Sequence, residues 1–124
     1  MLYWKKSSEM NKTFSNFANL SLADLYYRKG DIQEGNTYLS KIQDDSFAAA
    51  QKYNILGYFF TIRGNSNAAI TAYEKSLYIN SGQIFPRKKL IDLYQINDPQ
   101  KAQKELQTLE YIESFYDLSK SPSQ

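Results

Sequence analysis

One regularity limits what this chain can fold into: it resembles itself at a step of 34 residues. Leu22, Leu56 and Leu90 are spaced by that step, as are Tyr26, Phe60 and Tyr94. Ala23 is followed at the same interval by Gly57, Gly30 by Gly64, Gly35 by Ala69 and Leu39 by Tyr73. Asp98 continues the glycine series, after which the third copy runs one residue early, with Ala102, Leu106 and Leu109 matching Ala69, Tyr73 and Ser76. A unit of this length cannot bury its own apolar face and does so by stacking on its neighbours, which marks a helical-hairpin repeat.

Periodicity inside each copy predicts helix–turn–helix. In the middle copy Tyr53, Leu56, Gly57 and Phe60 recur at three- and four-residue intervals and share one helical face. Gly64 stands where a left-handed C-terminal residue is wanted, and Asn65 and Ser66 can cap the helix that follows, whose apolar face is Ala69, Ile70, Tyr73 and Leu77. The first copy repeats this with Gly30 as terminator and Asp31 to Glu34 as a capping box. In the third, Asp98 reads as N-cap and Pro99 as the first helical residue. Gly57 and Ala69 are expected to face each other where two helices cross, with aromatic rings filling the wedge on either side.

These units resemble tetratricopeptide repeats. That family's pattern of an aromatic, then Leu-Gly, an aromatic, and later Ala-x3-aromatic stands here as Tyr53-x2-Leu56-Gly57-x2-Phe60 and Ala69-x3-Tyr73. The outer copies depart from it: Asn19 replaces the opening aromatic and Gly35 the alanine of the first, and Ile91 replaces the small residue of the third. The likeness runs over roughly residues 15–115. It implies an all-α chain, a right-handed α-solenoid of about three hairpins with a leading half-repeat. The expected boundaries within one domain of residues 1–118 are a partial preceding repeat helix over 1–12 and repeats at 14–46, 47–80 and 81–118, the last with a long final helix. The hairpins are Phe14–Lys41, Phe47–Asn80 and Gln83–Leu118, with residues 119–124 as a disordered tail. The half-repeat rests on the likeness of residues 4–11 to Tyr73–Asn80, so the chain reads as a fragment of a longer array, starting mid-repeat.

In such repeats the first helix of each unit lines a concave side. The resemblance therefore implies a peptide-binding groove of Phe17, Leu20, Asp24 and Tyr27, then Gln51, Asn54, Tyr58 and Thr61, then Phe85, Lys88, Lys89 and Asp92. Tyrosines among amides and a few charges suit a peptide, since rings add area at low entropic cost and polar tips add hydrogen bonds. Family members that grip chaperone tails use a five-residue carboxylate clamp. Its positions hold Leu20, Asp24, Ile55, Phe85 and Lys89 here, four of which do not fit, and Asp24 would repel a carboxylate. A chaperone C-terminal tail is therefore not the expected partner.

Composition narrows the remaining classes. Without cysteine or histidine the chain lacks disulfides, thiol catalysis, and the commonest general base and metal ligand, so no enzyme activity, metal or cofactor is expected. Its five glycines are single, which leaves no phosphate-cradling loop. Asp44 and Asp45, the closest acidic pair, read as caps for a helix entering at Ser46. A net charge of +2, with acidic residues scattered along the chain, gives no reason to expect nucleic acid as a partner, and the basic run Arg87, Lys88, Lys89 reads first as a solvated helix face. No apolar run approaches the roughly 20 residues of a membrane span, and the start, MLYWKK, has no signal-peptide core. Localisation is left unassigned, cytoplasmic by default and periplasmic if a signal preceded this sequence.

The apolar stripe Leu106, Leu109, Ile112, Phe115 and Tyr116 has no following repeat to cover it, which offers a self-association surface for a homodimer or a dock for the rest of a larger protein. The leading functional expectation is a non-catalytic scaffold that binds a protein or peptide partner and assists complex assembly. The alternative is a structural spacer or dimerisation segment that acts through its end helices.

Overall fold

The computed structural model describes residues 2–44, 46 and 48–116, and among them every regular element is an α-helix. In order these are α1 (Leu2–Lys29), α2 (Ile32–Ser40), α3 (Ala48–Ile62), α4 (Ser66–Ile79), α5 (Phe85–Asn97) and α6 (Pro99–Tyr116). Backbone contacts divide the chain into two compact units, Met1–Ile55 and Leu56–Gln124, with the border inside α3.

The turns show the repeat most plainly. Gly30 and Gly64 have φ of 86° and 77°, a region where a side chain would be strained. At each the chain closes the helix in the same way. The Gly30 N–H donates to the Tyr27 carbonyl at 3.1 Å and the Asp31 N–H to Tyr26 at 2.9 Å, while Gly64 and Asn65 do the same to Thr61 and Phe60 at 3.1 and 2.9 Å. The residue after each glycine then caps the next helix: Asp31 accepts from the Glu34 N–H and Asn65 from the Ala68 N–H. Asp31 has already given its own N–H to Tyr26, so the expected reciprocal capping box is only half built. Between α5 and α6 the turn shrinks to Asp98 alone, which donates its N–H to Tyr94 and accepts from the Lys101 N–H with no left-handed residue.

In the first unit α1 packs against α2, and Ala23, Tyr27 and Leu39 are buried. A Cβ added to Gly35 would stand 2.6 Å from the Tyr27 ring, so the missing side chain is the seat of that ring. The Tyr27 hydroxyl donates to the Asn36 side chain. Tyr26 and Tyr38 stack beside it, centroids 5.5 Å apart and rings nearly parallel. The sequence reading expected a separate helix over 1–12 before the first hairpin; instead α1 runs unbroken from Leu2 to Lys29, in keeping with the absence of glycine and proline before Gly30.

The second unit is built on Ala69, Tyr73, Leu90, Tyr94 and Ala102, with Phe60, Ile70, Leu77 and Leu93 packed against them. Here the ring and its seat have changed helices: a Cβ on Gly57 of α3 would lie 2.6 Å from the ring of Tyr73 on α4. The nearest neighbour of the Gly57 backbone across this crossing is thus the Tyr73 ring, where the sequence pointed to Ala69. Pro86 lies in the first turn of α5, where its missing N–H costs nothing. Gln83 fastens the preceding turn, its amide donating to the Ser76 hydroxyl at 2.8 Å and to the Ser76 and Asn80 carbonyls at 3.1 Å.

Two further boundaries differ from expectation. Helix α3 begins at Ala48 rather than Ser46, and the Asp44 carboxylate pairs with Lys52 at 3.0 Å; Asp45 and Phe47 lie outside the described residues. Helix α6 is followed to Tyr116, and Leu118 and the 119–124 tail also lie outside the described residues.

Gly57→Ala tests the ring seat. Helix propensity would gain about 1 kcal/mol, but the wholly buried Tyr73 ring cannot retreat, and overpacking costs about 1–3 kcal/mol. Urea unfolding is expected to show net destabilisation, relieved when Tyr73→Leu is added. A second test uses pH. Burial pushes the Tyr27 hydroxyl up to about 12, above the ordinary value of about 10 for an unfolded tyrosine. Its contribution is therefore complete below pH 10 and is lost as pH rises through 12. Stability against pH across that window should fall less steeply in Tyr27→Phe than in the parent chain, as read from helix circular dichroism during denaturation.

Candidate partner-binding face

Each expected groove residue can be placed within its own unit. In the first, Phe17 is exposed and Leu20 half-buried, while Asp24 is engaged by Arg28 one turn on at 3.1 Å. Tyr27 and Asn54 are corrections, both more than nine-tenths buried: Tyr27 is the ring in the Gly35 seat, and Asn54 faces inward one helical turn from the exposed Gln51. Position in the repeat placed them on the exposed concave side, but the large side chain at 27 fills the space over a glycine.

The expected residues of the second unit lie on α3 and α5. Tyr73 of α4 lies under two helices at once, its ring against Gly57 of α3 and edge-on to Phe85 of α5 with centroids 6.2 Å apart. Burial raises the pKa of its hydroxyl, which sits beside Thr61 and near Tyr58. Thr61 donates its own hydroxyl to the Gly57 carbonyl at 2.8 Å. Above this floor Tyr58 and Thr61 on α3 and Phe85, Lys88 and Asp92 on α5 are exposed, and Lys89 rests half-buried with its ammonium 5.6 Å from the Phe85 ring centroid.

Two residues of this face escaped the sequence reading. Ile62 is 65% exposed and Ile96 is 80% exposed, each near the end of its helix. They are 34 residues apart, so the repeat itself held the signal. With Tyr58 and Phe85 they make four exposed apolar side chains on the outer faces of α3 and α5.

Arg87 leaves the basic cluster. It is buried, donates to the Glu105 carboxylate on α6 and to the Ser81 carbonyl at 2.7 Å, and so fastens α5 to α6. Tyr94 performs the same service toward α4: its hydroxyl donates to Glu74 at 2.6 Å, and burial, then that carboxylate, raise its pKa. On α6, Leu109 is buried and is removed from the expected self-association stripe. Leu106 and Ile112 are half-buried, Phe115 and Tyr116 are exposed, and Tyr111, which the stripe omitted, meets Phe115 edge-on at 5.0 Å. Among the described residues no acidic cluster is placed to hold a metal ion, and no helix is long and apolar enough to cross a membrane.

Comparison with known proteins agrees with this architecture. A family model described as a tetratricopeptide repeat-like domain matches residues 1–97, which ends at the last residue of α5. A protein of Pyropia yezoensis named "Uncharacterized protein ycf37" is 29% identical over 114 residues, which make up 88% of this chain and 58% of that protein. The chain thus spans 58% of the length of that relative. No solved structure matches.

Arg87 and Lys88 are neighbours with opposite burial, and substitution should separate them. Arg87→Ala strands the partly buried Glu105 carboxylate and is expected to cost about 2–3 kcal/mol in urea unfolding. Lys88→Ala, on the exposed face, should stay within about 0.5 kcal/mol of the parent.

Proposed function

The chain belongs to the tetratricopeptide repeat-like family, and on that premise we propose that its second unit holds a segment of a protein partner against the outer faces of α3 and α5. The observation that carries this reading is the set Tyr58, Ile62, Phe85 and Ile96, large apolar side chains left exposed although the core beneath them is filled. Ile62 and Ile96 recur at the repeat interval, a pair of apolar side chains that the repeat keeps out of its own packing. Thr61, Lys88, Asp92 and Gln95 surround them with polar groups, the usual make-up of a binding centre with a wet rim. The work is non-catalytic: the family is generally so, and the face offers area and a few charges rather than a nucleophile or a base. Assembly of a complex follows if the partner is held while its other surfaces stay free.

A second reading draws on a separate observation, the exposed aromatic group Tyr111, Phe115 and Tyr116 on α6, beyond the family match. In that reading the chain is a spacer that docks through its end helix. A photo-crosslinking amino acid placed at Ile62, Ile96 or Phe115 in the native cell distinguishes the two. The groove reading expects protein adducts from 62 and 96, and Ile62→Asp together with Ile96→Asp should weaken capture at least tenfold with unchanged helix content. Adducts from 115 alone, with capture untouched by the two aspartates, would refute it in favour of the spacer.

A further inference from the structure

The outward stripe of α5 carries a symmetry that partner capture alone does not explain. Leu90, Ile91 and Tyr94 bury one side of the helix, with Pro86 and Arg87. At 100° per residue, Phe85, Lys89, Asp92 and Ile96 fall within a narrow arc on the opposite side. Their spacing of four, three and four is that of a helix–helix seam. Read from either end, the stripe is apolar, charged, charged, apolar, and the two charges have opposite sign. Neither Lys89 nor Asp92 forms an ion pair among the described residues.

We propose that α5 pairs with the α5 of a second copy of this chain, antiparallel about a twofold axis through the middle of the helix. In that arrangement Phe85 lies against the partner's Ile96, Lys89 against the partner's Asp92, and the twofold repeats both contacts, which is the self-complementarity such an interface requires. A parallel pairing would set lysine on lysine and aspartate on aspartate, so the charges select the antiparallel one. Two 13-residue helices bury less than the roughly 1,200 Å² of a standard stable interface, so the dimer is weak and forms as concentration rises. It also covers Phe85 and Ile96, half of the proposed capture face, which makes self-association and partner binding competitors. The inference rests on α5 alone and stands whether or not a partner segment binds there.

Charge reversal in the full chain tests it, by sedimentation velocity over a concentration series. The parent chain should shift from monomer to dimer, and about 0.5 M salt should weaken the shift by screening. Lys89→Asp and Asp92→Lys should each remain monomeric with parent-like circular dichroism. Mixed in equal amounts they should dimerise again, because each supplies the charges the other has lost, and the double variant Lys89→Asp/Asp92→Lys should dimerise by itself. A parent chain that stays monomeric throughout overturns the proposal. So does a dimer indifferent to both reversals, or one abolished instead by Phe115→Asp.

Discussion

A tyrosine ring seated where a glycine has no side chain is the contact on which the hairpins depend. Two helices that cross closely leave a wedge-shaped gap, and a ring fills it only if the opposite backbone gives up a Cβ. Tyr27 on Gly35 and Tyr73 on Gly57 solve this in the same way from opposite sides, the first with the ring on the leading helix and the second with it on the following one. The first copy thus keeps a seated ring although it has Gly35 where the family pattern has alanine.

Of the chain's 11 tyrosines, Tyr27, Tyr73 and Tyr94 serve as buried rings. Two of the buried rings extend to a polar group at the edge, Tyr27 to Asn36 and Tyr94 to Glu74, whereas the Tyr73 hydroxyl has no hydrogen-bond partner among the described residues. In Tyr27 and Tyr94 the ring packs and the hydroxyl tethers one helix to another, so one side chain does what phenylalanine and a surface hydrogen bond would otherwise share. Arg87 extends this scheme, its stem buried and its guanidinium spanning from α5 to Glu105 and Ser81.

Helix α5 shows how packing and recognition are divided. Its inward side is committed to α4 and α6 through Leu90, Ile91, Tyr94 and Arg87. Its outward stripe is left with two large apolar groups and a lysine and an aspartate that form no ion pair among the described residues. Because the inward contacts hold the helix, the outward residues are presented on a rigid element, which lowers the entropic cost of binding there.

Amino-acid order alone determined the helices, their hairpin pairing and their turns, since these depend on local rules: glycine at a left-handed position, Asp or Asn one residue later, apolar residues at helical spacing. It also held Ile62 and Ile96 in plain view at the repeat interval, although position within the unit drew attention to Thr61 instead. What tertiary structure decided was which large side chain turns inward. Tyr27 and Tyr58 look alike in sequence, each on the first helix of its unit, yet one is sealed over a glycine and the other stands exposed. Arg87 and Lys88 likewise part only because Glu105, 18 residues on, is folded back within reach of one of them. Local rules cannot reach such outcomes, because burial depends on the volume left by residues on another helix.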